Sequence, residues 1–403
     1  MLLVYGLTNP STPCAARSLK GRLAQTLGRW PFLMPLALGF LTGLNLCPPF
    51  LLAFTGAAWT GSLGLTFIFF NTLFVLMLYT GRTDVYRAIF FIVIAVGFII
   101  FFITNLIEVR GSMVLKPENM ICGEAPFCHL AIPSIIVPAA LTRTIVFPGS
   151  LATGFANVFA MVVLWVGASL TLGRGWCSWG CFYGGLDEGF SRLAKKPRLK
   201  HIDRRWTYLP YAVLGGVVLV STLTLSPAYC EWLCPFKAVT EFPAVTSFKL
   251  GVQTAIFVSL FVGLVIVLPI LSKRRIQCGL FCPLGALQSL TNKINIFEVR
   301  IDRDKCVDCG RCISLCPTFS LDEASVRQGR TLLSCTRCGK CMDHCPKGAI
   351  SYRIKGTKLG VSAEKARVLF LYPAFLFGTT IGGGMLAGAI SRLLKLVTTG
   401  SMF

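Results

Sequence analysis

The sequence predicts a mainly α-helical protein, a polytopic membrane bundle of about six or seven spans that carries a small α+β insert. Of the 403 residues, 54% are apolar and 14% are charged, whereas a soluble globular chain has about a quarter charged residues. Most of the 18 cysteines fall in short Cys-x2-Cys or Cys-x3-Cys spacings, which are typical of metal centres. These observations exclude an ordinary soluble enzyme, a disordered chain and a fibrous one.

Seven apolar segments are long enough to cross a bilayer, which takes about 20 residues. In chain order they are 32–56, 62–80, 88–107, 151–172, 208–226, 252–271 and 368–390. The last segment contains three consecutive glycines and is followed by Arg392 and Lys395. A helix lying in the membrane interface is therefore the alternative for that segment.

The basic residues lie in alternate loops. The net charge is +22, and Lys and Arg are concentrated in the N-terminal arm, in 81–87, in 173–207 and after 272, whereas 108–150 and 227–251 are balanced. The positive-inside rule therefore predicts a multi-pass protein of the cytoplasmic (inner) membrane with a cytoplasmic N-terminus. Because topology explains the basic excess, we expect no nucleic-acid partner.

A cysteine motif occurs twice in the segment 296–356. Both runs have the spacing Cys-x2-Cys-x2-Cys-x3-Cys-Pro of bacterial ferredoxins, in which the fourth cysteine of each run serves the other cluster. One 4Fe–4S cluster is therefore expected at Cys306, Cys309, Cys312 and Cys345, and the other at Cys335, Cys338, Cys341 and Cys316. Gly310 and Gly339 stand where backbone N–H groups must turn toward sulfur. The doubled spacing with both prolines disfavours zinc, and the topology places this insert in the cytoplasm.

A second device, the Cys-x3-Cys pair, occurs three times near span ends. The pairs are Cys177 with Cys181, Cys230 with Cys234, and Cys278 with Cys282, and each is followed by a similar short string. Because residues four apart share one face of a helical turn, each pair can supply two thiolates to one cluster.

Three strings, RGWCSWGCFYGGLDE, CEWLCPFKAVTEF and QCGLFCPLGALQSL, followed by the double motif, resemble the membrane polyferredoxins of the NapH and NosR types, over about residues 150–350. The resemblance implies electron transfer between the membrane or its quinone pool and redox partners. Phe182 stands where the family pattern has proline, and we expect no flavin-binding periplasmic domain of the NosR type. The family's donors and acceptors therefore do not carry over.

Topology groups the three pairs. Cys177, Cys181, Cys278 and Cys282 are expected at the cytoplasmic edge, where together they complete one cluster. Cys230 and Cys234 are expected at the outer edge, where Cys122 and Cys128 are the remaining thiols and would complete a fourth cluster. A structural disulfide between Cys122 and Cys128 is the alternative. Cys14 is expected to be an incidental thiol.

Cys47 lies inside the first expected span, directly before Pro48 and Pro49, which break a helix. Residues 35–107 weakly resemble half of a CcdA-type thiol-relay membrane protein, whose first span also carries a cysteine beside proline. A kinked helix with a buried cysteine is one interpretation. The other is a redox station in mid-membrane, completed by a second copy in a homodimer or by a partner subunit, because clusters at opposite edges of a core of about 30 Å are poorly placed for direct transfer.

These inferences give an electron-transfer subunit of an oxidoreductase complex rather than a stand-alone enzyme. We expect redox proteins on one or both faces and quinone as partners. Thiol–disulfide reduction across the membrane, and redox sensing or maturation, are the alternatives. His129 adjoins Cys128 and is expected to tune or ligate the outer cluster. The predicted divisions are an N-terminal arm (1–30), a three-span unit (31–107), an outer loop (108–150), a second three-span unit (151–295), the ferredoxin insert (296–356) and a C-terminal helix (357–403).

Overall fold

A computed structural model describes residues 60–108, 129–143, 158–199, 202–240, 245, 247–356 and 363–401. The N-terminal arm and the first expected span lie outside these ranges. So do four of the cysteines discussed above, which are Cys14, Cys47, Cys122 and Cys128. The interpretations of those cysteines therefore stay predictions.

Helices make up most of the described chain. They are α1 (Thr60–Thr80), α2 (Asp84–Glu108), α3 (Ile132–Thr142), α4 (Val158–Thr171), α5 (Trp176–Trp179), α6 (Phe182–Leu193), α7 (Leu209–Thr224), α8 (Lys237–Thr240), α9 (Phe248–Leu260), α10 (Leu268–Ser272), α11 (Pro283–Thr291), α12 (Arg311–Leu315), α13 (Glu323–Arg327), α14 (Lys340–Asp343) and α15 (Ala363–Thr399). Tighter 3-10 turns form at His129–Ala131, Gly173–Gly175 and Arg204–Tyr208, and wider π turns at Tyr229–Leu233, Phe261–Val267 and Gln277–Phe281.

Five helical segments of the described chain are long and apolar enough to cross a membrane. They are Gly61–Thr80, Asp84–Phe101, Arg204–Thr224, Phe248–Ser272 and Ala363–Thr399. They match five of the seven expected spans, and the predicted class, a helical membrane bundle with a small insert, is confirmed. The described part of the expected span 151–172 is α4, which has only 14 residues.

The C-terminal segment belongs to the bundle. It forms one continuous helix of 37 residues, α15, that packs against both α1 and α2. Gly382 lets these helices approach closely, because a Cβ atom at that position would lie 2.5 Å from Cγ2 of Ile94 on α2. Phe375 of α15 meets Phe74 of α1 edge to face, with ring centroids 5.1 Å apart.

The segment expected as an outer loop also contributes to the bundle. Residues 132–142 form α3, which packs against α7 and α11 rather than standing clear of the membrane unit. Ile132, Ile135 and Pro138 are buried along it, so apolar packing draws this segment inward.

The insert between α11 and α15 is built on a two-stranded antiparallel sheet of β1 (Phe297–Ile301) and β2 (Ile350–Ile354). The cysteine runs lie between the strands, on loops that lead into α12 and α14. Gly310 and Gly339 begin these two helices with φ of +66° and +83°, as the need for turned N–H groups predicts. Tyr352 of β2 stacks on Phe370 of α15 at 4.6 Å, which fixes the insert to the bundle.

Candidate iron–sulfur sites

Two pockets in the insert are each lined by four cysteines, in the pairing that the exchange of the fourth cysteine predicts. The first, the exposed ferredoxin group, is lined by Cys306, Cys309, Cys312 and Cys345. The second, the buried ferredoxin group, is lined by Cys316, Cys335, Cys338 and Cys341. Cys309 is exposed to solvent whereas Cys338 is 8% exposed. The two groups therefore differ in access, one facing solvent and the other facing the bundle.

The chemistry of these groups fits 4Fe–4S clusters. Backbone N–H groups donate to sulfur, from Ser320 to Cys316 Sγ at 3.1 Å and from Ala349 to Cys345 Sγ at 3.3 Å. Burial raises the pKa of the Cys338 thiol to about 12. A thiol in that setting becomes a thiolate only beside a strong positive charge, which bound iron supplies.

The arrangement of the cysteines differs from that of a single-metal site. Within the described ranges, no three His, Cys, Asp or Glu side chains come close enough together to hold one metal ion. A 4Fe–4S cube binds each cysteine through a different iron atom, so its ligands are spread around the cube.

The three Cys-x3-Cys pairs share one local backbone form. In each pair the first cysteine lies on a helical turn, and the second is extended. The φ and ψ angles are −82° and 102° for Cys181, −80° and 107° for Cys234, and −68° and 119° for Cys282. An extended second cysteine ends one helical turn and starts the next. The repeat seen in the sequence is thus a repeat of structure.

Four of these cysteines converge between α5, α6 and α11, and we call them the inner centre: Cys177, Cys181, Cys278 and Cys282. Their thiols lie close enough to interact electrostatically with one another. Three of the sulfurs receive a polar contact, from Arg275 Nη2 to Cys278 at 3.2 Å, from the backbone N–H of Gly285 to Cys282 at 3.4 Å, and from His129 Nε2 to Cys181 at 3.2 Å. His129 therefore contacts the inner centre, whereas the sequence indicated a role at the outer cluster.

The remaining described cysteines, Cys230 and Cys234, form the second membrane pair. The structure brings this pair near the inner centre, since Tyr229, which precedes Cys230, accepts a hydrogen bond at its hydroxyl from Gln277 Nε2, which precedes Cys278, at 3.2 Å. The chain turns directly after α7: Leu225 is left-handed (φ 49°), and the N–H of Ala228 donates to Ser221 Oγ of α7 at 3.2 Å.

The buried ferredoxin group touches the inner centre through hydrogen bonds. Trp179, between Cys177 and Cys181 in the chain, donates its indole N–H to the carbonyl of Arg337 at 3.2 Å. Arg87 donates from Nε to the carbonyl of Cys338 at 2.9 Å and from Nη1 to that of Ser178 at 3.1 Å. The loops that carry the two cysteine sets are therefore in direct contact.

A buried charge network supports this contact. Arg87 forms ion pairs with Asp84 and Glu188. Arg192 forms ion pairs with the same two carboxylates, each at 2.6 Å. Arg275 is fully buried and donates to the Ser178 hydroxyl at 2.7 Å and to the carbonyl of Cys177 at 2.6 Å. These charges hold the inner centre against the insert.

Sequence reasoning missed the structural use of these arginines, because it counted them only for topology. One signal was present. Arg174 and Arg275 each stand three residues before the first cysteine of an inner-centre pair, whereas Pro227 takes that position before Cys230. In the structure Arg174 donates to Ser289 Oγ and to the carbonyl of Cys278, both at 2.8 Å. An Arg-x-x-Cys pattern thus marks the inner centre.

Two of the described basic segments contact the insert or the helix that follows it. In the loop 81–87, Thr83 accepts from Arg367 at 3.0 Å, and the N–H of Asp84 donates to Asp343 of the insert at 2.6 Å. After α10, the N–H of Arg275 donates to the carbonyl of Pro317, also in the insert, at 2.9 Å. Two of the basic segments, 81–87 and the one after α10, are therefore in contact with the insert.

Comparisons with known proteins match both cysteine devices. A model of a 4Fe–4S dicluster domain matches residues 298–346, and a model of a 4Fe–4S binding domain matches three consecutive segments, 153–200, 206–253 and 254–302. Each of the three segments contains one Cys-x3-Cys pair. No solved structure matches the chain.

Several curated proteins are similar to this chain. The putative electron transport protein YccM of Escherichia coli is 28% identical over 42% of this chain and 48% of its own length. The methylamine utilization ferredoxin-type protein MauN of Methylorubrum extorquens is 28% identical over 52% and 65%, respectively. The regulatory protein NosR of Pseudomonas aeruginosa is 34% identical over 39% and 22%. The chain thus spans less than two thirds of the length of these relatives.

Cysteine groups of this kind on a bundle of apolar helices, matched by 4Fe–4S domain models, define a membrane iron–sulfur electron-transport protein. The chain belongs to the membrane polyferredoxins of the NapH and NosR type.

Proposed function

We propose that this chain carries electrons between a soluble redox protein in the cytoplasm and the inner membrane. A bound 4Fe–4S cluster accepts and releases single electrons. Four sets of cysteines are proposed to hold one cluster each: the exposed ferredoxin group, the buried ferredoxin group, the inner centre, and the second membrane pair completed by Cys122 and Cys128. The placement of basic loops beside the insert supports a cytoplasmic insert and N-terminus.

The observation that carries this proposal is the bond from the Trp179 indole to the carbonyl of Arg337. Trp179 is the last residue of α5 and lies between Cys177 and Cys181 in the chain, and Arg337 directly precedes Cys338. Solvent reaches the exposed ferredoxin group, whereas the buried group and the inner centre are packed together. This order of sites, from a solvent-exposed group to buried ones, is suited to electron transfer from a docked redox partner into the protein.

The rim of the exposed ferredoxin group indicates the kind of partner. Lys305, Arg311 and Lys347 line it and are exposed, and Asp308, the only acidic residue among those that line it, is paired with Arg303 at 2.7 and 2.9 Å. A basic rim attracts a redox protein with an acidic docking face and speeds their encounter. From the second membrane pair, the proposed onward acceptor is quinone or a redox protein at the outer face.

The deciding experiment is an iron and acid-labile sulfide determination on the purified chain, joined to spectroscopy. Four clusters require about sixteen iron atoms, four for each. About twelve, together with a reducible disulfide between Cys122 and Cys128, contradicts the fourth cluster and supports transmembrane thiol reduction instead. The route is then tested by reducing the Trp179→Leu variant with a soluble electron donor. We expect the ferredoxin clusters to be reduced at the normal rate and the inner-centre cluster to be reduced more slowly.

A further inference from the structure

Arg174 and Arg275 cross over between the two cysteine pairs of the inner centre. Each stands three residues before the first cysteine of its own pair, and each donates to the backbone carbonyl of the first cysteine of the other pair. Arg174 Nη2 lies 2.8 Å from the carbonyl oxygen of Cys278, and Arg275 Nη2 lies 2.6 Å from that of Cys177. The same contact, made in both directions, therefore binds the two cysteine segments to each other.

Both arginines are buried and keep an unused donor. Arg174 is 2% exposed and Arg275 is 0% exposed. Within the residues that the structure describes, the Nε–H of each has no hydrogen-bond partner, although a buried donor without an acceptor costs free energy. The Nη2 of Arg275 already lies 3.2 Å from Cys278 Sγ. The sulfur of an iron–sulfur cluster accepts hydrogen bonds, so it suits donors in this setting.

Acidic residues balance these two cations only in part. Across the described ranges, the side chain of Arg174 donates to neutral groups alone. Arg275 lies 3.8 Å from Glu188, whose carboxylate is already bound by two other arginines. Asp187 accepts the N–H of Cys278 at 2.9 Å and can offset one of the two cations. Positive charge therefore remains in excess beside the inner centre.

We propose that Arg174 and Arg275 set the reduction potential of the inner centre, raising it so that the buried ferredoxin cluster can reduce the inner-centre cluster. The proposal rests on the proposed function, because the four cysteines must hold a 4Fe–4S cluster. Reduction by one electron makes such a cluster more negative, and burial away from water makes that charge costly. Positive charges nearby, in a medium of low dielectric constant, offset the cost. The electron that the inner centre gains is the one that the buried ferredoxin cluster loses.

The donors to sulfur differ between the inner centre and the ferredoxin groups. Backbone N–H groups, which are neutral, donate to Cys316 and Cys345 in the ferredoxin groups. At the inner centre a guanidinium donates to Cys278. A cationic donor stabilises the more negative reduced state more strongly than a neutral one, since charge-assisted hydrogen bonds are the stronger kind. This difference favours the electron at the inner centre and makes transfer from the insert into the membrane unit the downhill direction.

A redox titration of the purified chain, followed by electron paramagnetic resonance, measures the midpoint potential of the inner centre. The relevant signal is the one that Cys278→Ser removes. Arg275→Gln keeps hydrogen-bond donors and removes the charge, so we expect a fall equivalent to a roughly tenfold change in the one-electron equilibrium, about 59 mV. Arg275→Lys keeps the charge and is expected to retain most of the potential. Arg174→Gln and Arg174→Lys form the second pair of variants, with the same expectation.

Arg274→Gln is the matched control, because it removes the same charge at the adjacent position. The Arg274 guanidinium lies over the ring of Phe319, 4.6 Å from its centroid, rather than on a cysteine of the inner centre. We expect the inner-centre potential to fall by less in this variant than in Arg275→Gln. An equal fall in the two variants shows only a general effect of net charge and overturns the proposal.

Unaltered potentials in both glutamine variants also overturn the proposal. So does loss of the cluster from all four variants at Arg174 and Arg275, the lysine variants included, because the arginines then serve folding rather than the potential. Failure of the proposed function gives a different result. If the inner centre holds no cluster, the unsubstituted chain already lacks the signal assigned through Cys278→Ser, and its iron content is low before any arginine is changed.

Discussion

The indole N–H of Trp179 and the backbone carbonyl of Arg337 lie 3.2 Å apart and join two cysteine loops that are 158 residues apart in sequence. Arg337 is held firmly on its side of this bond. It has a left-handed φ of 53°, and its buried guanidinium donates to the carbonyl oxygens of Leu172 and Phe297 at 2.6 and 2.7 Å. Tyr352 donates its hydroxyl to the same Arg337 carbonyl at 2.7 Å. The insert is therefore anchored at the point where it meets the inner centre.

Cys278→Ser is expected to remove the inner-centre cluster and leave both ferredoxin clusters in place. Cys278 is absent from the residues that line the two ferredoxin pockets, so loss of its thiolate affects a separate site. Iron content per chain and low-temperature spectra check this, with Cys14→Ser as the control thiol. Spectra in which every cluster survives contradict the grouping of Cys177, Cys181, Cys278 and Cys282.

Arg87→Met is expected to loosen the insert from the bundle. Removing this arginine leaves the buried carboxylates of Asp84 and Glu188 short of a partner, which costs about 3–5 kcal/mol where a buried pair is broken. Faster proteolysis of the insert, followed by gel, measures the effect. Arg82→Met, in the exposed turn just before α2, is the matched control. Equal rates of proteolysis in the two variants argue against a role of the buried charge network in holding the insert.

Gly339→Ala is expected to disturb the buried ferredoxin group more than Gly310→Ala disturbs the exposed one. Both glycines have positive φ, so either alanine carries a backbone penalty of roughly 1–2 kcal/mol. A Cβ atom at 339 would also lie 2.8 Å from Thr83 Cβ, whereas nothing lies within 4 Å of one at 310. Thermal loss of cluster absorbance ranks the two. A Gly310→Ala protein that is the less stable one contradicts the close contact.

Arg311→Glu is expected to slow reduction of the chain by an acidic electron carrier and to weaken the dependence of that rate on salt. Arg311 is exposed at the rim of the first pocket, where its charge steers the encounter. Stopped-flow rates at several ionic strengths measure this. Lys293→Glu, a charge reversal at an exposed lysine outside the rim, is the comparison, and an equal slowing in both variants shows only a general effect of net charge.

The sequence was sufficient for those parts of the molecule that local spacing dictates. The cysteine runs at 306–316 and 335–345 predicted which thiols share a pocket, because a tight loop reaches only three corners of a cube. The apolar runs predicted five helices that the structure contains.

Placement of Cys230 and Cys234 needed the structure. Counting spans assigns a segment to one side of the membrane, but it does not show which side chains meet, such as Tyr229 and Gln277. The same limit applies to His129, whose contact with Cys181 joins residues 52 positions apart. The burial of Arg275 was likewise not predictable, because the sequence does not distinguish an arginine paired inside the protein from an exposed arginine that determines membrane topology.

The close approach of Gly339 to Thr83 has a kinetic consequence. A domain that carries electrons by rotating between partners needs a hinge and free space. Its electron-transfer rate falls as the viscosity of the solvent rises. Here the insert meets the loop before α2 with no space for one added methyl group, so the distance between its inner cysteines and the membrane unit is set by packing. Added sucrose should therefore slow the arrival of the soluble partner and leave the transfer that follows at its original rate.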